Sequence, residues 1–239
     1  MTTTLARLPA EGPPTLLFLL LHGHGQDETA MQPLAAALAH EYPQAAVLCL
    51  RAPHPADPLP GREPDTGYQY FSRLDLSDDN RPARVTAALP AFVAQVRSLQ
   101  AHFGMDWAHT ALAGFSQGGI VALEAVQAEP RLAGRVLAFG ARHAMAPMRA
   151  PEDTTVHLLH GLRDSVIPPP LPVDSAERLL ALGGDVTADI LPGIGHELHP
   201  RLIERALEQL RTFLPKRVWR EAMSEAPVVA RTASSRELG

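Results

Sequence analysis

Residues Thr110–Gly119 read TALAGFSQGG, and IVALEAVQAE follows at once. A short apolar run ends in Gly114-Phe115-Ser116-Gln117-Gly118, and helical spacing takes over after it. This is G-x-S-x-G between a strand and a helix, the pattern of a nucleophile elbow. Glycines two residues either side of Ser116 let strand and helix approach closely while the serine takes a strained conformation. The strain lifts the hydroxyl out of the surface. The N–H of Gln117 then opens a helix, where negative charge is favoured. Without partners the same pattern is a plain βα turn, so the reading turns on an acid and a histidine elsewhere.

Working outward, apolar runs alternate with helical periodicity. Thr15–Leu21 is continuously apolar, as a strand buried on both faces of a parallel sheet must be. A helix is expected from about Glu28 to His40, capped by Asp27, and Ala45–Leu50 is the next buried strand. Residues 1–14 read as a frayed lead-in. Arg51–Asn80 is long, polar and proline-rich, and reads as a semi-rigid loop beside a pocket. Its aromatics Tyr70 and Phe71 are candidates to line that pocket. Asn80 is expected to cap a long helix that Pro90 should kink or divide. Arg135–Phe139, Thr155–Leu159 and Val186–Leu191 read as strands. Asp174–Leu182 reads as a helix closed by Gly183-Gly184, and Leu198–Phe213 as the closing helix. The class is α/β, with a mostly parallel central sheet and helices on both faces. One domain over residues 1–214 is expected, then a loosely ordered tail, 215–239, with one short helix around Trp219–Met223.

A serine hydroxyl needs a base, and a histidine held by a carboxylate is the usual one, in the order Ser…Asp…His for such a sheet. Ligands meet these sheets at the carboxyl ends of strands. Asp164, in HGLRDSVIPP, follows a predicted strand end, and His196, in GIGHEL, follows the last strand. Asp153 and Asp185 precede strands and Asp189 lies within one, which puts them on the wrong edge or inside the sheet. Glu197 is too close to His196 to reach across the ring. Of the remaining histidines, His157 and His160 read as core or loop support, and His199 as a surface residue at a helix start. His22 and His24 form H-x-H, but no nearby carboxylate or cysteine completes a metal set, so neither metal nor cofactor is expected. The second oxyanion donor should come from His22–Gly25, and the N–H of His24 is the candidate. Such a donor is worth about 3–4 kcal/mol.

Composition narrows the partners. The 239 residues carry a net charge of −5 and no basic tract, which argues against nucleic acid. Apolar content of 46% is ordinary for a globular chain. The one cysteine, Cys49, lies inside an apolar run, which fits a buried small hydrophobe and a cytoplasmic setting. Leu16–Leu21 is too short for a membrane span. A nucleotide-binding module built on Gly23-His24-Gly25 is disfavoured because Glu28 stands where the third glycine belongs.

LLLHGHGQDE, AGFSQGGIVALE, LLHGLRDSVIPP and LPGIGHEL together resemble the signature blocks of the phospholipase/carboxylesterase family of α/β-hydrolases, over about residues 15–214. TGYQYFS, SDDNRPARV and GGDVTADI are similar to its small cytosolic bacterial esterases. The resemblance implies the α/β-hydrolase fold and Ser116, Asp164 and His196 as triad. It also implies the N–H groups of His24 and Gln117 as oxyanion hole and a small ester or thioester as substrate. His24 stands where an apolar residue is commoner. Protein or lysophospholipid deacylation is an alternative within the family, and a catalytically inactive binding module one outside it. The oligomeric state is open, a homodimer included.

Overall fold

The computed structural model describes residues 4–58 and 67–225. Its elements in chain order are β1 (Thr4–Arg7), β2 (Leu16–Leu21), a 3-10 turn (Glu28–Met31), α1 (Gln32–Glu41), β3 (Ala45–Leu50), β4 (His54–Pro55) and β5 (Tyr68–Gln69). Then come α2 (Arg81–Phe103), β6 (Thr110–Phe115), α3 (Gln117–Ala128), β7 (Arg135–Phe139), β8 (Thr155–Gly161), α4 (Pro170–Ala181), β9 (Asp185–Leu191), α5 (Pro200–Thr212) and α6 (Lys216–Glu225). The main sheet runs β1-β3-β2-β6-β7-β8-β9, and only the β1–β3 pair in it is antiparallel.

The continuous apolar strands serve two cores at once. Leu17, Leu19 and Leu21 of β2 face α2, α3 and α4 on one side of the sheet. Phe18 and Leu20 face α1 and α5 on the other. Side chains alternate across a strand, so both neighbours must be apolar when both faces are covered. Cys49 is buried on the second side, and burial pushes its thiol up to about 11, which leaves it inert.

Several local expectations need correction. Residues 4–7 are not frayed but add β1 to the sheet, pairing Thr4–Arg7 with Val47–Leu50. The helix expected from Glu28 is divided: Asp27 caps only the 3-10 turn, through the Thr29 N–H, and α1 starts afresh with a proline in its first turn. Proline is tolerated there because first-turn N–H groups have no intrahelical partner. The same rule starts α4 at Pro170, four residues earlier than expected, and Gly183 closes it with a φ of 80°. Asn80 makes no side-chain cap. Its amide instead holds the preceding turn, accepting from the Ser77 N–H and donating to the Asp75 carbonyl. Pro90 does not divide α2, which runs unbroken through it. Pro90 is exposed, so the carbonyl that loses its donor can be hydrated. α6 packs back on the domain, with Lys216 Nζ donating to the Gly183 and Gly184 carbonyls and Arg217 over the Trp107 ring. The rest of the expected tail, and Pro60 and Pro64 of the long loop, lie outside the described residues.

At the sheet's far end from the serine, His157 is fully buried between Arg135 and Thr187. Arg135 donates to its Nε2 at 2.9 Å, and burial first, then the guanidinium, hold its pKa down to about 3. His22 and His160 are also lowered by burial. The unfolded chain therefore binds protons that the folded chain refuses between pH 6.5 and about 3, so stability is complete above pH 6.5 and falls below it. His157 alone should cost about 2 kcal/mol by pH 5. Urea unfolding midpoints should drop clearly from pH 7 to pH 5, and an unchanged midpoint would contradict the buried neutral histidines.

Candidate active site

Ser116 sits between β6 and α3 with φ 50° and ψ −115°, in the sharp turn its neighbours require. The glycines are there for space. A Cβ on Gly114 would lie 2.4 Å from the Gly118 carbonyl carbon, and one on Gly118 would lie 2.4 Å from the Leu21 carbonyl oxygen. Both contacts are with backbone, which cannot step aside. The Ser116 N–H is tied to the Phe139 carbonyl at 2.9 Å, which fixes the elbow to β7.

Loops after β8 and β9 bring the other two predicted residues to this point. His196 Nε2 lies 2.9 Å from Ser116 Oγ, and His196 Nδ1 lies 2.7 Å from Asp164 Oδ2. A carboxylate can only accept, so Nδ1 carries the proton and Nε2 is left to accept from the serine hydroxyl. The Asp164 side chain is fully buried and held from every side. Oδ1 accepts from the N–H groups of Val166 and Ile167 at 2.9 and 2.8 Å. Oδ2 also meets His160 Nε2 at 3.2 Å.

His160 is more than the generic support its sequence suggested. Its Nε2 faces the Ile167 carbonyl at 2.8 Å as well as Asp164, two acceptors, so that nitrogen bears the proton. Burial lowers its pKa and keeps it neutral. It thus ties the acid to the loop that carries it. The signal was its place at the end of β8, four residues before the acid, but a strand-end histidine has many uses.

Across the turn, the His22–Gln26 loop is pinned. His22 is fully buried, donates from Nδ1 to the Gly23 carbonyl at 2.7 Å, and accepts at Nε2 from the Ala52 N–H at 3.0 Å. Both nitrogens are engaged with backbone, and no group of three or more potential metal ligands occurs among the described residues. Gly23 N–H donates to Gln26 Oε1, and Gly25 N–H donates to the Tyr68 carbonyl. Nearby, Arg51 forms a two-point ion pair with the buried Glu28 at 2.6 Å and stacks on Tyr68. Glu28's carboxyl is held below the usual range, chiefly by that guanidinium. The structure thus brings His24 and Gln117, the two predicted oxyanion donors, to the lining of the same cleft.

Gln117 has a role the sequence did not suggest. Its side-chain oxygen accepts from the Tyr70 N–H and its nitrogen donates to the Phe71 carbonyl, both at 2.8 Å. One residue therefore ties the long loop to the elbow. Of the two pocket candidates, Phe71 lines the cleft and Tyr70 does not. Tyr70 is buried in the core with its ring 5.6 Å from His22, because the loop also roofs the apolar interior.

The cleft holds about 560 Å³, within the range of small-molecule sites. Its apolar lining includes Leu76, Ile120, Ile167, Pro168 and Leu171. Ser116 and His196 open onto it. No described helix is long and apolar enough to cross a membrane.

A parallel sheet with a serine elbow and strand-end acid and histidine defines an α/β-hydrolase. Residues 8–214 match the Phospholipase/Carboxylesterase family, and the chain belongs to it; it is a carboxylic ester hydrolase. It is 41% identical over 212 residues to Esterase YpfH of Escherichia coli K12, covering 89% of each chain. A fungal acyl-protein thioesterase 1, from Gibberella zeae, matches at 34% over 112 residues, 48% of its own length. Among solved structures, esterase PE8 superposes with a TM-score of 0.79 at 27% identity, covering 89% of this chain and 99% of that one. A carboxylesterase from Mesorhizobium loti shares the fold at 21% identity, with a TM-score of 0.69, covering 82% and 88%.

Gly118→Ala tests the elbow's geometry. The added methyl must displace backbone of β2, so the variant should lose about 1–3 kcal/mol of stability and most of its esterase activity. Wild-type melting and activity would show that the approach of α3 to β2 is not tight.

Proposed function

We propose that the protein is a serine carboxylesterase acting on small carboxylic esters through an acyl-enzyme. The observation that carries this reading is the unbroken hydrogen-bonded chain from Ser116 through His196 to Asp164, opening on a cleft. Ser116 Oγ attacks the ester carbonyl carbon while His196 Nε2 takes its proton. Asp164 holds the imidazole's tautomer and stabilises the imidazolium. The carbonyl electrons move to oxygen, and the N–H groups of Gln117 and His24 receive that oxyanion. Collapse expels the alcohol, which leaves with the proton from His196. Water, deprotonated by the same histidine, then attacks the acyl-enzyme, and the serine regains its proton as the carboxylic acid departs.

The same steps accept a thioester. Nothing in this scheme calls for a metal or cofactor. The working unit is the hydrolase domain over residues 1–214, and a cytoplasmic setting suits a chain with one buried, inert thiol.

Ser116→Ala should lower kcat on an aryl ester by about 10⁶-fold, with His196→Ala similar. The double variant should lose no more than either alone, since the two groups act as one device. Near-normal turnover by Ser116→Ala, or losses that multiply in the double variant, would contradict the mechanism.

A further inference from the structure

The cleft lining also carries charge. Arg73, Arg81 and Arg142 line it, and Asp78 is the one carboxylate among the described lining residues. Asp57 lies behind this wall, bonded to Ser72 and the Arg73 backbone, and Asp164 is buried beneath His196. Arg81 and Arg142 converge on a single atom, Asp78 Oδ1, the second at 2.7 Å. They come from separate elements: Arg81 opens α2, and Arg142 lies in the segment after β7. Their exposures are telling. The arginine side chains are only 15% and 16% exposed, whereas Asp78 is 81% exposed. Two cations are thus built into the wall, and the anion they share stands in water.

An exposed carboxylate holds its partners weakly. Each guanidinium carries five N–H donors in a planar fork that suits carboxylate or phosphate, and Asp78 accepts from one nitrogen of each. A wall meant only for neutral alkyl esters has no use for two arginine side chains so little exposed, which cost desolvation that one exposed carboxylate offsets only in part. We propose that the natural ester carries a second, anionic group, a carboxylate or a phosphate, which Arg142 and Arg81 hold by displacing Asp78. The apolar lining would take the chain that joins that group to the ester. This rests on the serine-esterase reading and narrows its substrate class.

The test compares two matched pairs of esters. One is 4-nitrophenyl hydrogen glutarate against its methyl ester, with the charge on the acyl arm. The other is 1-acetylglycerol 3-phosphate against 1-acetylglycerol, with the charge on the alcohol arm. The wild-type protein should favour the anionic member of at least one pair in kcat/KM, and the pair favoured identifies the arm. In Arg142→Gln that preference should fall by about tenfold or more, mostly through KM. Asp78→Asn, which removes the internal competitor, should raise it. A preference for both neutral members, or one that Arg142→Gln and Asp78→Asn leave unchanged, would overturn the inference while leaving the esterase intact. Failure to hydrolyse all four esters and neutral aryl esters besides would overturn the esterase reading and this inference together.

Discussion

The structure depends on one proton being held in one place. Asp164 fixes it on His196 Nδ1, and only then can Nε2 accept from Ser116 at 2.9 Å. Each participant comes from a different strand end, so the arrangement requires strands that end on one rim. The doubly covered parallel sheet provides that rim. Four N–H groups around Asp164 keep its carboxylate from turning away, with His160 among them.

Rigidity is concentrated where the chain would otherwise be loosest. The loop after β2 is held by His22, by Gln26 and by the Tyr68 backbone. The long segment before α2 is held by Gln117, by Arg51 and by Arg84, whose guanidinium reaches the Ser72 and Leu74 carbonyls. A buried polar group must be paired, so each of these contacts fixes a backbone path as well as satisfying a side chain. Backbone donors aimed at a cleft need this kind of support, because donors that must reorient lose their advantage.

Much of this was legible in the chain. Strands buried on both faces announce themselves as unbroken apolar runs, and the elbow's glycines are demanded by contacts as short as 2.4 Å. Motif order and strand ends pointed to Asp164 and His196, which the structure brings into hydrogen-bonding reach of each other and of Ser116. The errors were local or long-range. β1 is an edge strand of four residues, too short to show a pattern. Pro170, outside the helix expected from Asp174, begins α4, and Pro33, inside the helix expected from Glu28, lies in the first turn of a helix that starts only at Gln32. Tyr70 and Phe71 are adjacent, and no periodicity says which faces the cleft. The Arg81–Asp78–Arg142 cluster joins residues 64 apart, and the Gln117 clamp joins residues 46 and 47 apart. Neither leaves a signal in a single sequence.

The central claim is that this particular hydroxyl is activated by its surroundings. It is tested most directly by treating the folded protein with an aryl fluorophosphonate and mapping the adduct by peptide mass spectrometry. The account predicts rapid, single-site modification of Ser116 that disappears when the protein is unfolded in urea or when His196 is replaced by alanine. Modification at another residue, or of Ser116 at the same rate in the unfolded chain, would contradict it.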